Sequence, residues 1–136
     1  MNEISQLIVS HLNAREAVLR VVKQKQLRAS DLVEDMQLSL NILRRKIKTA
    51  DWRADELSQL ARLFGMTVNL EVPLRLLNEQ LQTLSEHDWK RLVRETHIGK
   101  QRIQSLMNDC CLWRDTELYQ VNNFMQKYAR TPGRSF

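Results

Sequence analysis

The sequence is poor in the residues that break a chain. Its 136 residues include only three glycines and two prolines. Sheet proteins need many such residues at their hairpins, so this scarcity favours helices over strands. Long apolar runs are missing too: no stretch approaches the roughly 18 apolar residues of a membrane span. The opening residues, Met1-Asn2-Glu3-Ile4, lack the basic and then apolar pattern of a secretory signal. Cysteine is confined to Cys110 and Cys111. Adjacent cysteines make no disulfide framework and miss the CxxC redox spacing, which points to a reduced, cytoplasmic setting. There is no phosphate-binding glycine loop, no nucleophile motif and no paired acid and base. His11, His87 and His97 have no ligand pattern around them that would hold zinc. The expectation is no enzyme, no metal and no cofactor.

What the chain does have is an ordinary globular balance, 43% apolar and 27% charged. Net charge is +5, made of +3 over residues 1–70 (11 basic, 8 acidic) and +2 over 71–136 (10 basic, 8 acidic). That suits a polyanionic partner, but neither half is a basic tail. A nucleic-acid surface must then come from how the helices place their charges.

The strongest internal signal is a duplication. Residues 52–64 read WRADELSQLARLF and residues 113–125 read WRDTELYQVNNFM. Trp, Arg, Glu, Leu and Gln recur at the same places, and Leu60/Val121, Leu63/Phe124 and Phe64/Met125 stay apolar, at an offset of 61. Upstream, DLVEDMQLSLNILRRKI at 31–47 aligns with RLVRETHIGKQRIQSLM at 91–107 at an offset of 60. The slip of one residue falls in the connection before the tryptophan, where an insertion is cheap. Two blocks in one order argue for a repeated structural unit.

Apolar periodicity over residues 3–26 predicts a long helix, with Asn13 as a candidate cap for a break near Ser10 to Asn13. Helices follow at 29–36, 40–48 and 53–64, with Ser39 capping the second and Gly65 stopping the third. Met66 to Val72 reads as loop. Pro73 opens the second half, with helices near 74–83, 86–95, 99–108 and 114–128 and Ser85 as a cap. The fold class is all-α: two tandem units of about four helices each, packed into one compact protein. The division is 1–70, 71–130 and a frayed tail at 131–136.

Residues 27–47, LRASDLVEDMQLSLNILRRKI, resemble the helix-turn-helix of the phage-repressor class, the lambda repressor and Cro type. In that class a short turn is followed by an apolar residue, a small capping residue and a recognition helix with an apolar anchor. Leu38, Ser39 and Leu43 fill those places, and LARLFG at 60–65 looks like the class's next helix end. The resemblance covers about residues 14–70 and, more weakly, 84–127. The chain departs from the class at Gln37 and His97, where glycine is common. It departs again at Gly99, which replaces Ser39, and in extra residues around Glu86 to Trp89.

The resemblance implies a DNA-binding protein, a sequence-specific transcriptional regulator reading the major groove of double-stranded DNA with helix 40–48 and also with 100–108. Asn41 suits an adenine edge, and Arg44 or Arg45 a guanine edge. Arg28 and Lys48 are placed for phosphates, with Ser39 at the helix start. In the second unit Lys100, Gln101, Gln104 and Asn108 face the corresponding side, and Arg102 is placed to reach the DNA backbone. The alternative for the first unit is a solvated cationic face balancing Asp31, Glu34, Asp35 and Asp51. For the second it is a degenerate unit kept for packing or protein contact. Trp52 and Trp113 read as packing anchors, with base stacking as the rival. Trp89, without a counterpart tryptophan, fills a cavity between units or lies at an interface. Cys110 and Cys111 read as a buried or half-buried thiol pair. The stripe Ile4, Leu7, Ile8 and Leu12 either forms a homodimer interface or covers the core. The rival function is a helical protein-interaction or adaptor module without direct DNA binding.

Overall fold

Capping chemistry sets most of the element boundaries. The structure, a computed structural model, describes residues 3–129; the tail expected at 131–136 lies outside them. The described residues form eight α-helices and no strand. They are α1 (Glu3–Gln24), α2 (Ala29–Met36), α3 (Leu40–Thr49), α4 (Ala54–Leu63), α5 (Glu71–Gln82), α6 (Glu86–Thr96), α7 (Lys100–Asn108) and α8 (Asp115–Ala129), with a 3₁₀ turn at Cys110–Leu112. Ser39 Oγ accepts the Ile42 N–H at 3.3 Å and starts α3, and Ser85 Oγ does the same for Asp88 at 3.1 Å and α6. The end of α4 is a Schellman motif. Gly65, at φ 68°, donates to Arg62 O, and Met66 donates to Ala61 O.

Two boundaries differ from the expectation. No break interrupts α1, and Asn13 is exposed in mid-helix instead of capping anything. Buried side chains on the inner face, His11 and Arg15, hold the helix through that level. The second half opens at Glu71, before Pro73. Pro73 takes the third helical position, whose N–H would have no partner inside the helix. Asn69 Oδ1 accepts the Val72 N–H at 3.2 Å in the same turn.

Apolar burial forms two clusters. One gathers Val18 and Val22 of α1 with Leu32, Leu43, Trp52, Leu57 and Leu60. The other gathers Leu77, Leu81, Leu92, Leu106, Trp113 and Leu118, and it also takes Ile4 and Ile8. Helix α1 therefore serves both clusters, and its N-terminal stripe packs inside the chain. Ile8 is fully buried, worth roughly 1.5–3 kcal/mol relative to exposure.

The crossing point on α1 is polar. The acceptor on Leu70 is a carbonyl, so His11 Nδ1 carries the proton and donates to Leu70 O at 2.8 Å. One turn on, Arg15 donates to Trp52 O at 2.7 Å. Both carbonyls lie outside helices, where they would otherwise be buried without a partner. These two side chains thus tie α1 to the α3–α4 connection and to the link between the halves.

Candidate nucleic-acid interface

The connections α2–α3 and α6–α7 have the same backbone. Gln37 stands at φ 54°, ψ 38° and His97 at φ 59°, ψ 21°, both left-handed. Ser39 stands at φ −66°, ψ 154° and Gly99 at φ −65°, ψ 154°. Gln37 N–H donates to Val33 O and His97 N–H to Val93 O, each at 3.0 Å. Behind the turns, Leu43 and Ile103 anchor α3 and α7, at 0% and 8% exposure. Trp52 and Trp113 are both buried, so neither presents a ring for stacking on a base. Trp113 Nε1 donates to Asn78 Oδ1 at 2.8 Å, and Asn78 Nδ2 donates to Leu106 O at 2.8 Å.

A glutamate closes the pattern in each half. Glu56 Oε1 accepts the Arg53 N–H at 2.8 Å, and Glu117 Oε1 accepts the Arg114 N–H at 3.1 Å. Each also receives a cation from the preceding helix. Lys46 Nζ lies 2.6 Å from Glu56 Oε1, both side chains nearly buried. Arg102 grips Glu117 with bonds of 2.8 and 2.9 Å and donates to Leu112 O at 2.8 Å. Burial raises the Glu117 carboxyl, but the Arg102 bonds outweigh it and hold the group below its ordinary range. Arg102 is thus turned inward and is not placed for a DNA backbone, a correction to its expected role.

The remaining candidates are on the surface. In the first half Arg28, Ser39, Asn41, Arg44, Arg45 and Lys48 are all exposed. Among the described residues Arg44, Arg45 and Lys48 make no ion pair, with Asp31, Glu34, Asp35 or Asp51 or otherwise. Asp31 instead accepts the Arg28 backbone N–H at 3.1 Å. One cation of α3 therefore faces in and three face out. In the second half Lys100, Gln101, Gln104 and Asn108 are exposed.

The two halves differ in how their paired helices sit. Helix α2 lies directly on α3, whereas α6 leans on α8. At the place of buried Ala29 stands Trp89, half-buried. An indole cannot fit where a methyl group does, and an open groove runs between α6 and α7. It has adjoining volumes of about 250 and 350 Å³, over Trp89, Val93, Ile103 and Met107. Trp89 therefore lies within the second half and not between halves.

Burial pushes the Cys111 thiol up to about 12 and raises Cys110 as well, which leaves both protonated and poor nucleophiles. Among the described residues no three His, Cys, Asp or Glu side chains are grouped to hold a metal. None of the described helices is long and apolar enough to cross a membrane. Sequence reasoning missed His11, Arg15, Glu56 and Glu117 as organising residues. The two glutamates had a signal, because they recur in the WRADE and WRDTE blocks. No protein-family model matches the chain, and no curated protein or solved structure matches it.

Proposed function

We propose that the chain is a double-stranded DNA-binding protein of the helix-turn-helix kind, made of two tandem units, with α3 as its principal reading helix. The observation that carries this reading is the sorting of charge on α3. Lys46 is spent on Glu56, while Arg44, Arg45 and Lys48 stand exposed and unpaired beside Asn41. Among the described residues the acids of α2 make no ion pair with this face. Unpaired arginines next to an amide suit guanine and adenine edges, with Lys48 and Arg28 on phosphates. The matching turns support a second reading helix in α7, with Lys100, Gln101, Gln104 and Asn108 outward.

The second unit is the weaker reader. Its inward Arg102 removes a cation from the face, and the groove at Trp89 separates α7 from α6. That same groove favours protein contact as a reading for this half alone. Selection of duplexes from a random pool with the purified chain tests the proposal. Enrichment of a common sequence, lost with Arg44→Ala plus Arg45→Ala in a folded protein, is the expected result. A pool that stays random at moderate salt overturns it.

A further inference from the structure

The two halves differ by one residue between the reading helix and the tryptophan, and their connections there run differently. In the second half the connection winds into the 3₁₀ turn Cys110–Leu112, which packs between α5 and α7. In the first half the shorter connection turns at Ala50, and a cavity of about 330 Å³ lies between the last turn of α1 and the foot of α3. Its walls are Leu19, Val22, Leu27, Ile47 and Trp52. Leu19, Leu27 and Ile47 are only half-buried, so the apolar layer is incomplete there. The volume is at the lower end of the roughly 300–1,000 Å³ of small-molecule sites.

The polar lining is sparse and has one sign. Lys23 and Gln26 are the polar side chains on the cavity, and no carboxylate lines it. Among the described residues the Lys23 ammonium makes no ion pair or hydrogen bond. Among the described residues four non-glycine positions adopt a left-handed backbone: Gln37 and His97 make the paired turns, and the other two, Gln26 and Ala50, both line this cavity. Strained backbone of this kind is kept where the surroundings demand it, and ligand sites are one such place.

We propose that this cavity binds a small aromatic or alicyclic carboxylic acid, its ring packed among Leu19, Leu27 and Ile47 and its carboxylate on Lys23, and that the ligand regulates α3. Ile47 and Ala50 belong to the end of the helix that carries Arg44, Arg45 and Lys48. A ligand wedged there fixes the last turn of α3 against α1. Binding to the cavity is independent of the DNA reading; the regulatory meaning of a fixed α3 rests on it.

Calorimetric titration of the DNA-free full chain with naphthoate tests the site, with naphthamide as the uncharged isostere. Saturable one-site binding is expected, weaker by about tenfold or more for naphthamide and for Lys23→Gln, as loss of a charge-assisted contact implies. Leu19→Phe with Leu27→Phe fills the cavity and abolishes binding while the helical circular dichroism is kept. Hydrogen exchange slows at Ile47 to Ala50 in the bound protein. No saturable binding at millimolar naphthoate overturns the site. So does equal affinity in Lys23→Gln or in the filled variant, which places the ligand elsewhere. Binding without protection at Ile47 to Ala50 overturns the regulation. None of these readouts contains DNA, so failure of the DNA reading leaves them decisive.

Discussion

Gln37 and His97 hold one backbone conformation, both left-handed and both donating to the carbonyl four residues back, at 3.0 Å. Neither is glycine, so each Cβ crowds the neighbouring backbone at a cost of roughly 1–2 kcal/mol. Glycine removes that cost but adds freedom to the unfolded chain. Gln37→Gly and His97→Gly are therefore each expected to stabilise the protein by about 0.5–1 kcal/mol. Gln37→Val, branched at Cβ, should destabilise it by more than about 1 kcal/mol. Urea unfolding followed by circular dichroism reads all three. A glycine variant less stable than the parent contradicts the shared turn.

The inward and outward cations of α3 should separate in a salt titration. Each phosphate contact contributes about 0.9 to the slope of log affinity against log salt. Arg44→Ala, Arg45→Ala and Lys48→Ala together are expected to flatten that slope by up to about 2.7 if each meets a phosphate, and by less where an arginine reads a base. Lys46→Ala should leave the slope alone and lower stability by about 3 kcal/mol, because Glu56 is then buried without its cation. Equal slopes for the triple variant and the parent count against α3 as the reading helix.

The helices were legible in the sequence wherever local chemistry decides them. The limits of α2 follow from its own apolar spacing, and Ser39, Ser85 and Gly65 cap or stop helices through bonds within a few residues. The start of α5 was hidden because a proline in the first turn looks the same whether it comes first or third. The unbroken α1 was hidden for another reason. Its continuity depends on Leu70 and Trp52, distant residues whose carbonyls His11 and Arg15 serve. On the candidate interface, exposure of Asn41, Arg44, Arg45 and Lys48 was readable from helix period. The inward turn of Arg102 was not, since nothing local distinguishes it from Lys100 until Glu117 is brought beside it.

Asn78, buried on α5, joins that helix to Trp113 and to the Leu106 carbonyl of the second apolar cluster, both at 2.8 Å. Asn78→Leu keeps the approximate volume but strands the indole N–H and that carbonyl. Two buried groups without partners are expected to cost about 2–4 kcal/mol. Asn78→Leu with Trp113→Phe removes one stranded donor, so the pair should be less damaging than the sum of the single changes. Strict additivity in a thermal unfolding cycle argues against the bond.

His11 predicts how stability responds to acid. Burial lowers its pKa from 6.5 to about 4, although the bond to Leu70 O works the other way and Arg15 adds to the lowering. The folded protein therefore holds a neutral imidazole at pH 6, while the unfolded chain is already taking up a proton. Acid favours the form that binds more protons, so the contribution is fully present above pH 6.5 and is lost as the pH falls toward about 4. A gap of that size corresponds to about 3 kcal/mol. His11→Gln keeps a donor for Leu70 O and cannot titrate. The variant should be less stable at pH 7 because its amide packs less well, yet its stability should be nearly flat between pH 6.5 and 4.5, where the parent declines. Glu117, held low by Arg102, loses its contribution only at still lower pH and leaves this window to the histidine. Chemical unfolding across the window decides the matter, and parallel curves for the two proteins would show that the imidazole of His11 titrates alike in the folded and unfolded chain.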